Sequence, residues 1–380
     1  MRPPSPKRWS DRWRAVRDRW VGDPAFRRWA GAFPLTRFIA RRRAGQLFDL
    51  CAGFVYSQVL LACVRLRLFE HLADGPKALG ELSARLALEP AAAERLLRAA
   101  IALELVDRRG HGLYGLGPLG AALVGDDGVL AMVEHHALFY EDLRDPVGLL
   151  RERGKGTGLS GYWPYAAAAD AGGLSPEAVA GYTRLMSASA ERVADEVLAA
   201  YPFQRHDCLL DVGGGDGLFA TRAAQRHPSL RVMLFDLPAV AARAEARFAR
   251  EGIALRASAH GGSFRADPVP EGADVVTLVR ILHDHDDDVV LELLRAVHRA
   301  LPPGGTLVIA EPMSGVPGTE RMADAYFGFY LLAMGTGRAR TPQEIGALLA
   351  RSGFGAPRRL PNRLPVAAQV LVAPRDRSML

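Results

Sequence analysis

The chain has 380 residues and a mass of 41.1 kDa, room for two ordinary domains. Apolar residues make up 49% and charged residues 24%, which excludes disorder and low-complexity structure over most of the length. Cys51, Cys63 and Cys208 form no CxxC pair, so a disulfide framework and a structural zinc are excluded and a reducing compartment is expected.

The net charge of +6 is unevenly distributed. Residues 1–45 hold thirteen basic groups against Asp11, Asp18 and Asp23, a surplus of ten, so the rest of the chain is mildly acidic at −4. Four of the five tryptophans lie in this arm. Trp9, Trp13, Val16 and Trp20 repeat as one helical stripe, and Asp23-Pro24 should end that helix. Phe26, Trp29 and Phe33 then continue the pattern. The arm lacks the apolar run of a secretory signal. Leu50–Val64, interrupted by Ser57 and Gln58, is too short for a membrane span. A tryptophan face beside arginines suits either an anionic membrane surface or a partner subunit, with nucleic acid well behind.

From 46 to about 200 the pattern is mainly helical. Helices are expected over Phe48–Leu72, Leu79–Leu86 and Glu89–Leu105, then a hairpin over Val106–Leu116 turning at 108–112. That order is winged-helix-like. Its third helix offers two arginines among alanines, poor material for reading base edges. His135-His136 has no ligand spacing that fits a metal and reads as a core or pocket pair.

The chemistry lies in 201–380. A short strand, Cys208–Val212, runs into Gly213-Gly214-Gly215-Asp216-Gly217 and a helix from Leu218 to about His227, the nucleotide-binding opening of a doubly wound α/β sheet. A second strand ends at Asp236, where a carboxylate can accept both ribose hydroxyls. An NAD site fits poorly, because Leu218 stands where the third glycine belongs. A strand candidate over Ala273–Val279 leads to Arg280 and His283, and a Gly304-Gly305 turn leads to a strand, Thr306–Ala310, followed by Glu311. This order suits a class I fold that takes S-adenosylmethionine (SAM).

The run DVGGGDG…FDLP…LVRILHDHDD…LPPGGTLVIAEP resembles the small-molecule O-methyltransferase family that includes plant caffeic-acid and bacterial polyketide enzymes. A closer resemblance, carried by AGFVYSQVLLACVRLRLFEHLADGP, YGLGPLGAALVG and LVRILHDHDDD, is to the carotenoid O-methyltransferases of purple bacteria, of the hydroxyneurosporene and demethylspheroidene type. The resemblance implies a Rossmann-like SAM-binding sheet after a winged-helix-like dimerisation domain, a homodimer, no metal and a cytoplasmic enzyme. With the arm on a membrane, the enzyme would sit peripherally on the inner photosynthetic membrane.

Residue by residue, the resemblance implies that Gly213 and Gly215, with Asp211 at the loop's base, hold the aminocarboxylate end of SAM. Asp236 would take the ribose, Leu237 would flank the adenine, and Arg280 would lie near the cofactor. His283 matches the general base and Glu311 the carboxylate that orients it. Two positions depart from the family. Gly262-Ser263-Phe264 replaces Asp-Met-Phe beside the adenine, and Ala339 stands where plant enzymes have a second carboxylate. Met322, Tyr326, Phe329 and Tyr330 form a helical stripe that is either core or the wall of an acceptor pocket. The expected reaction is methylation of the tertiary 1-hydroxyl of an acyclic carotenoid. An aromatic polyketide or phenol is the enzymic alternative, and a non-catalytic SAM- or DNA-binding regulator the alternative from another class.

Overall fold

The computed structural model describes residues 6–162, 186, 190–364 and 368–376. The chain divides into two compact units, residues 1–124 and 125–380.

The first unit begins with helix α1 (Pro6–Gly22) and helix α2 (Pro24–Ala32). The Asp23 carboxylate caps α2 by accepting from the amides of Ala25 (2.6 Å) and Phe26 (3.1 Å), so Asp23-Pro24 both ends one helix and starts the next. Helix α3 spans Arg37–Arg65. This differs from the sequence reading, which began the helix at Phe48. Arginines 41–43 are good helix formers and carry the helix upstream. At 29 residues α3 is long and apolar enough, by length and composition, to cross a membrane, although Leu50–Val64 alone is not. Its last turns bury Leu61, Cys63 and Val64 in this unit.

Helices α4 (Leu68–Ala73), α5 (Leu79–Arg85) and α6 (Pro90–Ala102) follow. Strands β1 (Val106–Arg108) and β2 (Tyr114–Leu116) form the expected hairpin, pairing antiparallel with Val106 opposite Leu116. Helix α7 (Pro118–Leu123) closes the unit.

The second unit opens with helices α8 (Asp127–Asp142), α9 (Pro146–Glu152) and α10 (Gly158–Tyr162). The sequence reading grouped these with the N-terminal domain up to residue 200. They belong instead to the unit of the sheet, because Phe139, Leu149 and Leu159 share one buried cluster with Tyr330, Leu331 and Met334.

Among the described residues the sheet has seven strands, in the order β5-β4-β3-β6-β7-β9-β8. Strands β3 (Cys208–Val212), β4 (Arg231–Asp236), β5 (Ala257–Gly261), β6 (Val275–Val279) and β7 (Thr306–Glu311) are parallel, while β9 (Gln369–Pro374) runs antiparallel to both β7 and β8 (Arg358–Leu360). The central strands are continuous apolar runs because helices cover both faces. Strand order reverses between β3 and β6, so their carboxyl ends open a crevice, the place where such sheets bind ligands.

Candidate active site

Parallel pairing sets Val212 beside Phe235, which brings the glycine loop after β3 level with Asp236 at the end of β4. The Gly213 amide donates to the Phe235 carbonyl at 2.8 Å. Gly213 has φ +70°, and a Cβ there would lie 2.4 Å from the Ile281 side chain. Gly215, at φ +62°, borders open space instead. The first glycine lets two loops close on each other, and the second leaves backbone bare for a ligand.

Asp236 accepts from the amides of Gly215 (2.8 Å) and Leu237 (2.7 Å). Burial raises its pKa to about 6 despite those two bonds. Asp211 is buried, and its Oδ1 accepts from the Thr277 hydroxyl at 2.6 Å, a bond set by the Asp211–Thr277 pairing of β3 and β6. Among the described residues its Oδ2 has no hydrogen-bond partner, and burial pushes the acid up to about 7. An orphaned buried carboxylate oxygen, a bare glycine loop and a half-buried acid at the strand ends fit a ligand with a charged amino acid end and a ribose.

Beyond β5, the Ser263 amide donates to Asp267 Oδ2 at 2.9 Å, and the Phe264 ring meets the edge of His285 at 5.6 Å. Leu237 stands half-buried at the start of the helix Pro238–Arg250.

The other half of the site lies past β6 and β7. Val279 pairs with Ala310, so Arg280 and Glu311 leave the sheet at the same level. Arg280 adopts φ +58°, unusual for a side chain of its size, while its amide holds the Ala310 carbonyl at 2.8 Å. Strain of this kind is kept where the surroundings impose it. Here it turns the chain into a short 3₁₀ segment, Leu282–Asp284, that lays His283 over Glu311. An Arg280 Nη lies 3.7 Å from Met186 Sδ.

His283 and Glu311 are both buried. Glu311 Oε1 accepts from the amides of Ile281 (2.8 Å) and Leu282 (2.6 Å), and Oε2 lies 2.5 Å from His283 Nδ1. With both oxygens so engaged, the carboxylate fixes the tautomer that carries hydrogen on Nδ1 and leaves Nε2 without one. Asp284 Oδ1 is 3.1 Å from Nε2, close enough to attract the ring once it is protonated but making no hydrogen bond to it. Burial works against a charged ring, yet Asp284 and Glu311 outweigh it and hold the His283 pKa above its ordinary value. Asp284 itself is raised to about 6 by burial. A histidine of ordinary pKa, as the sequence alone suggests, would be mostly neutral at cytoplasmic pH; this one is shifted toward its charged form.

Arg340 is a site residue that the sequence did not reveal. Buried, it donates to the carbonyls of Leu282 (2.5 Å) and His285 (2.6 Å) and to Asp287 Oδ1 (2.8 Å), clamping the His283 segment. Asp284 was missed too. Only the fold turns its carboxylate toward the imidazole of its neighbour His283.

The aromatic stripe is built differently from a regular helix. Arg321–Phe327 is a π-helical stretch that continues into the α-helix Gly328–Met334. The wider turn shifts the register, so Phe327, beside the expected stripe, meets the His283 ring at 5.5 Å. Tyr330 and Tyr326 turn toward α8, bonding His135 Nε2 (2.7 Å) and His136 Nε2 (2.8 Å). Met322 and Phe329 are half-buried. Among the described residues no group of histidine, cysteine and acidic side chains is arranged to hold a metal.

Comparisons with known proteins identify the family. Residues 140–355 match the O-methyltransferase domain, and residues 48–126 the O-methyltransferase dimerisation domain. The chain belongs to the O-methyltransferase family. It is 42% identical over 94% of both chains to the demethylspheroidene O-methyltransferase of Cereibacter sphaeroides. The enzyme of that name from Rhodobacter capsulatus is 43% identical over 84% of this chain and 79% of its own. Among solved structures, mitomycin 7-O-methyltransferase superimposes with a TM-score of 0.72 at 25% identity, covering 89% of this chain and 99% of that one. This methyltransferase therefore depends on SAM, as its family does, and its dimerisation domain makes it a homodimer. The glycine loop, Asp211 and Asp236 fit SAM on the observations above.

Proposed function

We propose that the enzyme methylates the tertiary hydroxyl of an acyclic carotenoid, with His283 as general base. The observation that carries the acceptor is the extended likeness to the two demethylspheroidene O-methyltransferases. Phe327, whose ring meets His283, and Tyr326 packed edge-on against it at 5.1 Å form an aromatic wall that suits a long apolar chain. When bound, SAM supplies an electrophilic methyl group on its sulfonium centre. Gly213, Gly215 and Asp211 hold its amino acid end, Asp236 its ribose, and Leu237, Ser263 and Phe264 border the adenine.

His283 Nε2 removes the hydroxyl proton as the oxygen becomes a nucleophile. Glu311 accepts from Nδ1 and stabilises the imidazolium that results, the logic of a catalytic triad on another fold. Arg340 is a positioning residue that keeps the imidazole segment in place, and the rest of the task is alignment. Incubating the purified protein and labelled SAM with hydroxycarotenoids and with phenols, both in detergent, tests the acceptor. Label in a carotenoid methyl ether supports this reading, and label confined to phenols overturns it.

Two further results are expected. Asp236→Ala should weaken SAM binding by ~10–100-fold, because a carboxylate that accepts from hydroxyls is lost. Unchanged affinity by calorimetry in a folded variant would contradict the cofactor assignment. The pH profile follows from His283, which must be neutral to accept a proton. Since its pKa is raised, kcat/KM should climb with pH through a midpoint above ~6.5. An acid limb centred at or below that value would argue against His283 as the base.

A further inference from the structure

The arm ahead of the dimerisation domain carries an organised surface. Trp9, Trp13 and Trp20 on α1 are 59, 67 and 58% exposed, and Trp29 on α2 is 52% exposed. At ~100° per residue, Trp9, Trp13, Val16 and Trp20 fall in one narrow sector of α1. Arg12 and Arg19 flank that sector on one side and Arg17 on the other, while Asp11 and Asp18 lie diametrically opposite.

The aromatic face does not stop at the bend. Ring centroids run from Trp20 to Phe26 (5.6 Å), from Phe26 to Trp29 (5.6 Å) and from Trp29 to Phe33 (5.1 Å), a continuous ribbon across both helices. Arg12 and Arg19 make no ion pair among the described residues. The match to the family's dimerisation domain begins at residue 48, after this ribbon.

We propose that the arm is an interfacial anchor for an anionic lipid bilayer. Its helices lie in the membrane plane, the tryptophan ribbon enters the headgroup boundary, and the flanking arginines reach lipid phosphates. Both α1 acids then face water, the orientation an anionic surface requires. A nucleic-acid duplex would meet the arginines but leave the aromatic ribbon in water. The inference stands on the arm alone and is independent of the acceptor.

Sedimentation of full-length protein with phosphatidylcholine vesicles, with and without phosphatidylglycerol, is the test. Binding should require phosphatidylglycerol and fade as salt rises, because the Debye length shrinks from ~10 Å at 0.1 M to ~3 Å at 1 M. The triple variant Arg12→Gln, Arg17→Gln, Arg19→Gln should bind about 100-fold more weakly, roughly fivefold per charge. The triple variant Trp9→Ser, Trp13→Ser, Trp20→Ser should also release from vesicles, yet keep the parent's SAM affinity and its elution volume in sizing chromatography. Failure of the parent to bind at low salt overturns the proposal, as does binding that neither triple variant weakens. A tryptophan variant that elutes as a smaller species also overturns it and places the ribbon against a second copy of the chain.

Discussion

Replacing His283 with alanine should lower turnover by ~10²–10⁴-fold, the usual contribution of a general base, while SAM affinity stays near that of the parent. The split is expected because His283 lies past β6, whereas the groups assigned to the amino acid end, ribose and adenine of SAM lie on or just past β3, β4 and β5. A tertiary alcohol is barely acidic, so ionisation in water cannot substitute for the imidazole as it can for a phenol. Comparing the variant on a hydroxycarotenoid and on an acidic phenol would therefore magnify the effect on the former. Near-normal turnover of His283→Ala on the true acceptor would remove the residue from its role.

Glu311→Gln should be comparably damaging, about 10³–10⁴-fold in turnover by analogy with triads whose orienting acid becomes an amide. The shape is preserved, but an amide nitrogen facing Nδ1 favours the opposite tautomer and places hydrogen on Nε2, where the lone pair is needed. The same change removes a negative charge 2.5 Å from the ring, so the acid limb of any residual activity should move to lower pH. Glu311→Ala goes further. It strips the acceptor from the amides of Ile281 and Leu282, at a cost of about 1–3 kcal/mol for each buried group left unpaired, and should lower Tm as well as turnover. A Glu311→Gln enzyme with parental turnover and an unmoved pH profile would show that the glutamate is only a brace.

The spacing that links the glycine loop to Asp236 was legible because it is local to one β-loop-α-β unit, where each side chain's place follows from a few bonds and the pleat. The Asp23-Pro24 break and the Val106–Leu116 hairpin were legible for the same reason: caps and turns are decided by residues near in sequence. His283 and Glu311, 28 residues apart, could be paired from sequence only through the family resemblance.

Other features depend on the folded whole. Whether α8–α10 belong to the helical unit or to the sheet unit is a matter of which apolar surfaces meet, and Phe139 carries no mark of its partner Tyr330. The strained Arg280, the π-turn that brings Phe327 to the base, and the Arg340 clamp 58 residues from Leu282 arise from packing that overrides local preference. The charge on His283 is likewise set by three dimensions. Composition assigns a histidine its ordinary pKa, but only the fold buries it between Asp284 and Glu311, where the attraction of two carboxylates exceeds the cost of removing the ring from water. The kind of chemistry was thus written in short-range order, and the state of the base that performs it was decided by contacts between distant strands.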